Sequence, residues 1–495
     1  MGVIIRQSIV TTIISYIGAV IGYVNLFYLF PRFLSPEQVG VMRTVQDAAI
    51  LMAQFAQFGL AQSIIRFYPR FSGSKEQTHN FFNLIIILAT ITFGVFLLAY
   101  LIFESSILSY FQQNAGDFLQ YSKLALYLTF TTIMTTLFEV YSRSLLKNVV
   151  PNLLKEIVTR LLLGLLVLAY FMGYIDFGQM MQLSVFIYII CMVVLSYYLF
   201  SGGHLGHSLD IKMISPSVIK ELISFSLLSF AGTAGLIVIG KVDSLMVASL
   251  LGLAPVAIYT TAFYMATVIE IPKRAITQIS SPLISRGFEK NDREEIKKIY
   301  HKTALNQFII GTLLLIGIIA NLDSIFALMP KGEIYQAGKW VVVIVGAGKL
   351  TDMLFGPSSE IIIYSKYYWF NIVLIILLAA VLVTVNNLLI PDYGIVGAAI
   401  GAALALVAFN IVKFIFIWMK LDLQPFSFDF IKVILIGSAS WICHTLIPRI
   451  DFTIADMIVR SAVITLVFGT LTLLMKVSPE ANDLFKKAIN FLWKN

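Results

Sequence analysis

Opposite charges stand close together inside long apolar stretches of this chain: Arg43 with Asp47, Lys241 with Asp243, and Lys349 with Asp352. On the insertion scale a Lys, Arg or Asp at the centre of a membrane helix costs roughly 2.5–3.5 kcal/mol. Lys241 and Lys349 together would therefore oppose insertion by about 5–7 kcal/mol if they faced lipid. Both are expected to face the protein interior. Buried ammonium and guanidinium groups can make charge-assisted hydrogen bonds to phosphate or carboxylate oxygens. An anionic cargo is the matching ligand. A purely structural use competes with that chemistry. Arg43 and Asp47 are four residues apart, Lys349 and Asp352 three, and Glu139 and Arg143 four, so each pair can close on its own helix face. Lys241 has no acid at that spacing, because Asp243, two residues on, points to another face. Lys241 is thus the strongest candidate for lining a cavity, followed by Lys349.

The elements that must position these charges are membrane helices. About fourteen apolar stretches, each near twenty residues, run from Ser8 to Met475. Such lengths match the roughly 30 Å hydrocarbon core, and they are too continuous for barrel strands. The expected spans are 8–30, 44–65, 81–103, 119–141, 156–174, 180–200, 223–248, 254–276, 303–321, 338–362, 368–390, 394–418, 430–447 and 457–475. The fold class is an all-α polytopic membrane protein. Hydrophobic residues are 59% and charged residues 13% of the chain, against roughly 25% charged in soluble domains. The longest polar break, 285–302, is too short to fold alone. Cys191 and Cys443 fall inside spans and read as buried small hydrophobes. The first span follows the single basic residue Arg6, with no small-residue cleavage site, and reads as an uncleaved helix.

With the N-terminus in the cytoplasm, roughly 26 basic residues fall on the inner side and about 7 on the outer, as the positive-inside rule requires. The +8 net charge is thereby topological and no nucleic-acid partner is implied. Both termini are expected in the cytoplasm, and residues 484–492 read as an amphipathic helix on the inner leaflet. The turn Leu34–Val41 is matched in length and position by Leu251–Ile258, after the first and seventh spans. Six is even, so the halves would be related by an axis along the membrane normal. This divides the chain into an N-terminal six-helix bundle at 1–210 and a second at 211–422. Two extra helices and a tail occupy 423–495. Glycines at 18 and 22, and at 394, 397 and 401, permit close helix approach. Pro255, Pro272, Pro282 and Pro357 are positions for bends.

Several chemistries are absent. Val345–Leu350 fails as a phosphate loop, since Val343 stands where its first glycine belongs and Leu350 replaces the hydroxyl residue. His204 and His207 have no further ligand nearby and read as a solvated loop. No long loop carries paired acids or a nucleophile with its base. The chain is expected to be no enzyme and to need neither metal nor cofactor.

The outward turn Arg32-Phe33-Leu34-Ser35-Pro36-Glu37-Gln38-Val39-Gly40 resembles the turn after the first helix of polysaccharide-export flippases. Those proteins belong to the multidrug/oligosaccharidyl-lipid/polysaccharide exporter superfamily. Gly59–Tyr68 resembles their second-span ending, Asp392–Ala399 their turn before the twelfth span, and Gln424-Pro425-Phe426 their next loop. Ser35 replaces the usual Gly and Val39 the usual aromatic. The resemblance covers essentially the whole chain. It implies a flippase in the cytoplasmic membrane that moves a polyprenyl-diphosphate-linked oligosaccharide to the outer leaflet by alternating access. Its partners would be that lipid-linked substrate, membrane lipids, a coupling ion (proton or sodium) and a glycan polymerase. On this reading Arg43, Lys241 and Lys349 hold the diphosphate, with Arg32 and Arg66 near the outer and inner ends of the cavity. Asp47, Asp243, Asp352, Glu139 and Glu270 tune those cations or answer the coupling ion. A multidrug or organic-cation antiporter of the same superfamily is the alternative. It should have an acid-rich cavity, which these interior cations oppose. A non-transporting scaffold or glycan polymerase is the remaining reading.

Overall fold

The computed structural model describes residues 2–206, 214–479 and 482–483, and they fold into helices. The amphipathic stretch expected at 484–492 lies outside the described residues. By packing, the chain divides into two compact units, Met1–Ala257 and Ile258–Asn495.

The first unit opens with α1 (Gly2–Val24), a π-helical stretch Asn25–Leu29 and α2 (Phe30–Phe33). Then come α3 (Pro36–Ala56), α4 (Leu60–Phe71), α5 (Lys75–Gln112), α6 (Gly116–Ser144) and α7 (Val149–Asn152). A second π-helical stretch, Leu153–Val158, leads into α8 (Thr159–Phe171). The unit continues through α9 (Phe177–Ser201), α10 (Pro216–Leu251) and the start of α11 (Leu253–Thr267). The turn singled out at 34–40 is a capping box. Ser35 Oγ accepts from the Gln38 backbone N–H, and the Gln38 side chain accepts from the Ser35 N–H. Pro36 at the first helical position loses nothing by lacking a donor there. Gly40 then passes close against the backbone of Leu253, so the two matched turns touch. Within the first span, Gly18 and Gly22 lie against Glu156 and Arg160.

The second unit holds α12 (Glu270–Glu289), α13 (Arg293–Leu328), α14 (Gly332–Tyr335), α15 (Lys339–Leu354) and α16 (Ser358–Tyr364). These are followed by α17 (Tyr368–Leu421), α18 (Phe428–Thr445) and α19 (Thr453–Leu474). Helix α17 is two helices meeting at Gly394, whose φ of 57° and ψ of −141° are not helical. The chain folds back there, so that Gly397 lies against the Leu389 carbonyl and Gly401 against Asn386.

Eight of the described helices are long and apolar enough to cross a membrane, or up to eleven if each of three bent pairs is one span. The bends are informative. Helices α3 and α4 meet at 49°, α11 and α12 at 47°, and the 332–354 segment and α16 at 47°. Pro272 has no N–H to give the Val268 carbonyl, which breaks the helix just before it. Gly356 and Pro357 do the same after α15, with Gly356 at φ 57°. At the first bend Phe58 and Gly59 both take positive φ, and a Cβ on Gly59 would strike the Ser226 carbonyl of α10. Gly59→Ala is therefore expected to cost at least about 1–2 kcal/mol from backbone conformation alone, read as a lower unfolding midpoint in detergent. Gly94→Ala, at a helical glycine with open space around it, is the control and should leave the midpoint unchanged or raised.

Candidate functional site

In the first unit Asp47 on α3 is buried, and a different helix satisfies both of its oxygens. Lys241 Nζ of α10 donates to Oδ1 at 2.5 Å, and Ser244 Oγ donates to Oδ2 at 2.6 Å. Lys241 and Ser244 are three residues apart and share one face of α10. Lys241 is thus not the unpartnered cation that its own helix implies. Its partner comes from 194 residues away. The Lys241 side chain stays 21% exposed, against 7% for that of Asp47. Asp243 is buried one turn face away. The Arg43 guanidinium lies beside Gln46 at 3.5 Å and 5.9 Å from the centre of the Phe30 ring.

The second unit carries a denser network, built where its helices break. Glu270 is the first residue of α12, directly after the bend, and accepts from Lys349 Nζ of α15 at 2.9 Å. Arg274 stands 3.6 Å from the other Glu270 oxygen. Asp352, two residues before the end of α15, is ion-paired to Lys273, while Asn410 of α17 donates to the Leu406 carbonyl at 2.9 Å. Lys413, one turn beyond Asn410, is 1% exposed and donates to Ser359 Oγ at 3.0 Å. Its nearest acids are Asp352 and Glu360. Three lysines (Lys273, Lys349, Lys413) thus meet three acids (Glu270, Asp352, Glu360), and Arg274 adds a positive charge on a side chain that is 74% exposed. The pairing of Lys349 with Asp352 along one helix is replaced by two pairs between α12 and α15, Lys349 with Glu270 and Lys273 with Asp352. Lys413 escaped the sequence reading: it precedes the aromatic run Phe414–Trp418 close to a span end, where a lysine looks like a snorkelling anchor. Its one visible signal is Asn410 on the same helix face.

The other expected site residues are elsewhere. Arg32 is exposed at the end of α2. Arg66 is exposed, stacked 4.2 Å over Phe225 and 3.9 Å from Glu221. Arg70 takes Glu221 in a bidentate bridge at 2.6 and 3.0 Å, which holds that carboxyl below its ordinary range. Glu139 pairs with Lys155 at 3.0 Å and not with Arg143. A further pair that sequence reasoning passed over is Arg160 with Glu156 at 2.6 Å, the Arg160 guanidinium also donating to the Gly18 carbonyl. Asn25, in the first π-helical stretch, donates to the Arg160 carbonyl at 2.7 Å. Insertions of this kind frequently mark functional positions in helices.

His204 has a definite role. Its Nε2 accepts from Lys147 at 2.7 Å, its carbonyl accepts from Tyr141, and His79 and Asn83 bind the carbonyls of Gly203 and Gly206. The segment 202–206 is thereby pinned to α5 and α6. His207 lies outside the described residues. Burial first, then Lys147, His79 and Lys75, hold His204 below the usual imidazole range. A base whose folded pKa is depressed loses stability as pH falls through its unfolded value, about 6.5. Protection of the amides at 202–206, relative to the unstructured chain at the same pH, should fall below that pH and lose this pH dependence in His204→Gln.

Comparison with known proteins fits this geometry. Residues 4–288, more than half of the chain, match the family described as polysaccharide biosynthesis protein. The chain belongs to that family. The probable low-salt glycan biosynthesis flippase Agl15 of Haloferax volcanii is 23% identical over 405 residues, covering 81% of this chain and 80% of that protein. An uncharacterized membrane protein of Methanocaldococcus jannaschii, MJ1068, is 22% identical over 451 residues, 86% of each. Among solved structures, the lipid II flippase MurJ in an inward closed conformation superposes with a TM-score of 0.75 at 13% identity. It covers 95% of this chain and 100% of its own. An inward-facing multidrug resistance MATE family transporter of the MOP superfamily gives 0.62 at 15% identity, over 84% and 98%. The polysaccharide biosynthesis family and a MurJ-like helical membrane fold agree with the resemblance read from the turns.

Proposed function

We propose that this member of the polysaccharide biosynthesis family is a flippase for a polyprenyl-diphosphate-linked oligosaccharide, moving it to the outer leaflet of the cytoplasmic membrane by alternating access. The names of Agl15 and MurJ support the class of cargo. The observation that carries the reading is chemical: lysines inside membrane helices of both units are held by carboxylates from neighbouring helices. Such lysines are pre-positioned by their carboxylate partners, and an ammonium makes charge-assisted hydrogen bonds to phosphate oxygens. Helix breaks at Pro272 and Gly356 bring these charges to helix ends, as in transporters whose sites sit on discontinuous helices. An organic-cation antiporter would need an acid-rich cavity instead. The positive-inside bias supports a topology with both termini in the cytoplasm.

The test is reconstitution. Purified protein in vesicles should make a fluorescent lipid-linked oligosaccharide in the inner leaflet accessible to an external reagent, and should leave an organic cation such as ethidium untransported. Movement of the cation with none of the lipid would defeat the proposal.

A further inference from the structure

The two C-terminal helices are seated unevenly on the second unit. At one end α18 and α19 close a dry core on α13, built from Ala304, Leu305, Phe308, Phe430, Val433 and Phe468. Elsewhere α13, α15, α18, α19 and the 447–453 turn line a cleft of about 1110 Å³. Its floor is apolar, with Leu315, Ile316 and Val343 beside Trp441. Its rim is charged. Lys339 Nζ meets Asp323 at 2.6 Å, Arg449 stands 3.7 Å from the same carboxylate, and Asp451 lines the mouth. Deeper in, Arg460 is bound to Asp456 at 2.6 Å and to the carbonyls of Ile447 and Pro448, each at 3.3 Å. This fixes the turn that forms one wall.

We propose that this cleft is a binding site for a zwitterionic bilayer lipid carrying a phosphodiester and a primary amine. The assignment rests on three features. Charged groups at the rim and apolar side chains along the helix faces beneath them fit an amphiphile that enters from the bilayer, not a soluble molecule. Trp340 and Trp441, of the type that settles at the membrane interface, flank the transition. The rim and its support balance: Lys339, Arg449 and Arg460 against Asp323, Asp451 and Asp456. A site for an anionic headgroup would hold cations in excess. Here Lys339 and Arg449 can take the phosphate while Asp323 and Asp451 take the ammonium, so one headgroup satisfies both signs. The volume lies at the upper edge of small-molecule sites, roughly 300–1,000 Å³. The lipid would fill the gap between α13 and the C-terminal pair without touching the interior lysines.

Native mass spectrometry of the delipidated full chain, given equal amounts of phosphatidylethanolamine and phosphatidylglycerol, tests the assignment. Wild-type protein should retain the ethanolamine lipid about tenfold better, the worth of one charge-assisted contact. Asp323→Asn combined with Lys339→Gln should bring that ratio near unity. Arg449→Gln, at a side chain 86% exposed and remote from any core, should lower it without changing the unfolding midpoint. Equal retention of both lipids by the wild type, or an unchanged ratio in Arg449→Gln and the double variant, would overturn the proposal. So would displacement of the lipid by a soluble oligosaccharide. None of these outcomes depends on whether the protein moves a glycan.

Discussion

Lys241→Ala is expected to lose transport completely and to lower stability by about 3–5 kcal/mol, the range for stripping one partner from a buried ion pair. The residue left behind is Asp47, 5% exposed, with Ser244 as its remaining hydrogen-bond donor from α10. Two effects are therefore mixed in the single variant, and a second substitution separates them. Asp47→Asn with Lys241→Gln removes both charges while keeping hydrogen-bonding side chains of similar size, so the unfolding midpoint should return close to that of the wild type. Transport should not return, because the cation is gone. Recovery of transport in the double variant would show that the pair serves only to join α3 to α10.

The second large effect is at Asp352. Its carboxylate faces Lys273, Asn410 and Lys413, and Asp352→Ala leaves two lysines without their nearest acid. About 3–5 kcal/mol of stability should disappear, visible as a lower midpoint in detergent. Lys413→Met exchanges a fully buried ammonium for an apolar chain of similar length, and with Asp352 also gone no charge of that pair is left buried without a partner. Combined with Asp352→Ala, it should restore part of the loss, so the two effects fail to add. Strict additivity would mean that Lys413 and Asp352 do not sense each other.

These networks show what could be read from the chain and what could not. The apolar spans and the turn after the first of them were legible because hydropathy and turn-forming residues are local properties. So were the bends at Pro272 and Pro357, where proline removes a donor. Interior charges were legible as a cost. Their partners were not. Sequence spacing reveals neighbours three or four residues along one helix, whereas Lys349 and Glu270, like Lys273 and Asp352, are separated by 79 residues. Local pairing was the natural expectation for Lys349 and Glu139, and interhelical packing replaced it in both. The π-helical stretches at 25–29 and 153–158 left no trace in the sequence, since one inserted residue barely disturbs a helical pattern. Lys413 was hidden by its position near the end of an aromatic run.

The central claim is that caged intramembrane lysines recognise the charge of a diphosphate. The most direct measurement is the affinity of the purified protein for two ligands sharing one lipid and one glycan, joined by a diphosphate or by a neutral linker. The diphosphate should bind at least about tenfold more tightly, as one charge-assisted contact provides. That margin should shrink in Lys241→Gln and again in Lys349→Gln. Equal affinity for the neutral ligand, or a margin untouched by both substitutions, would contradict the account.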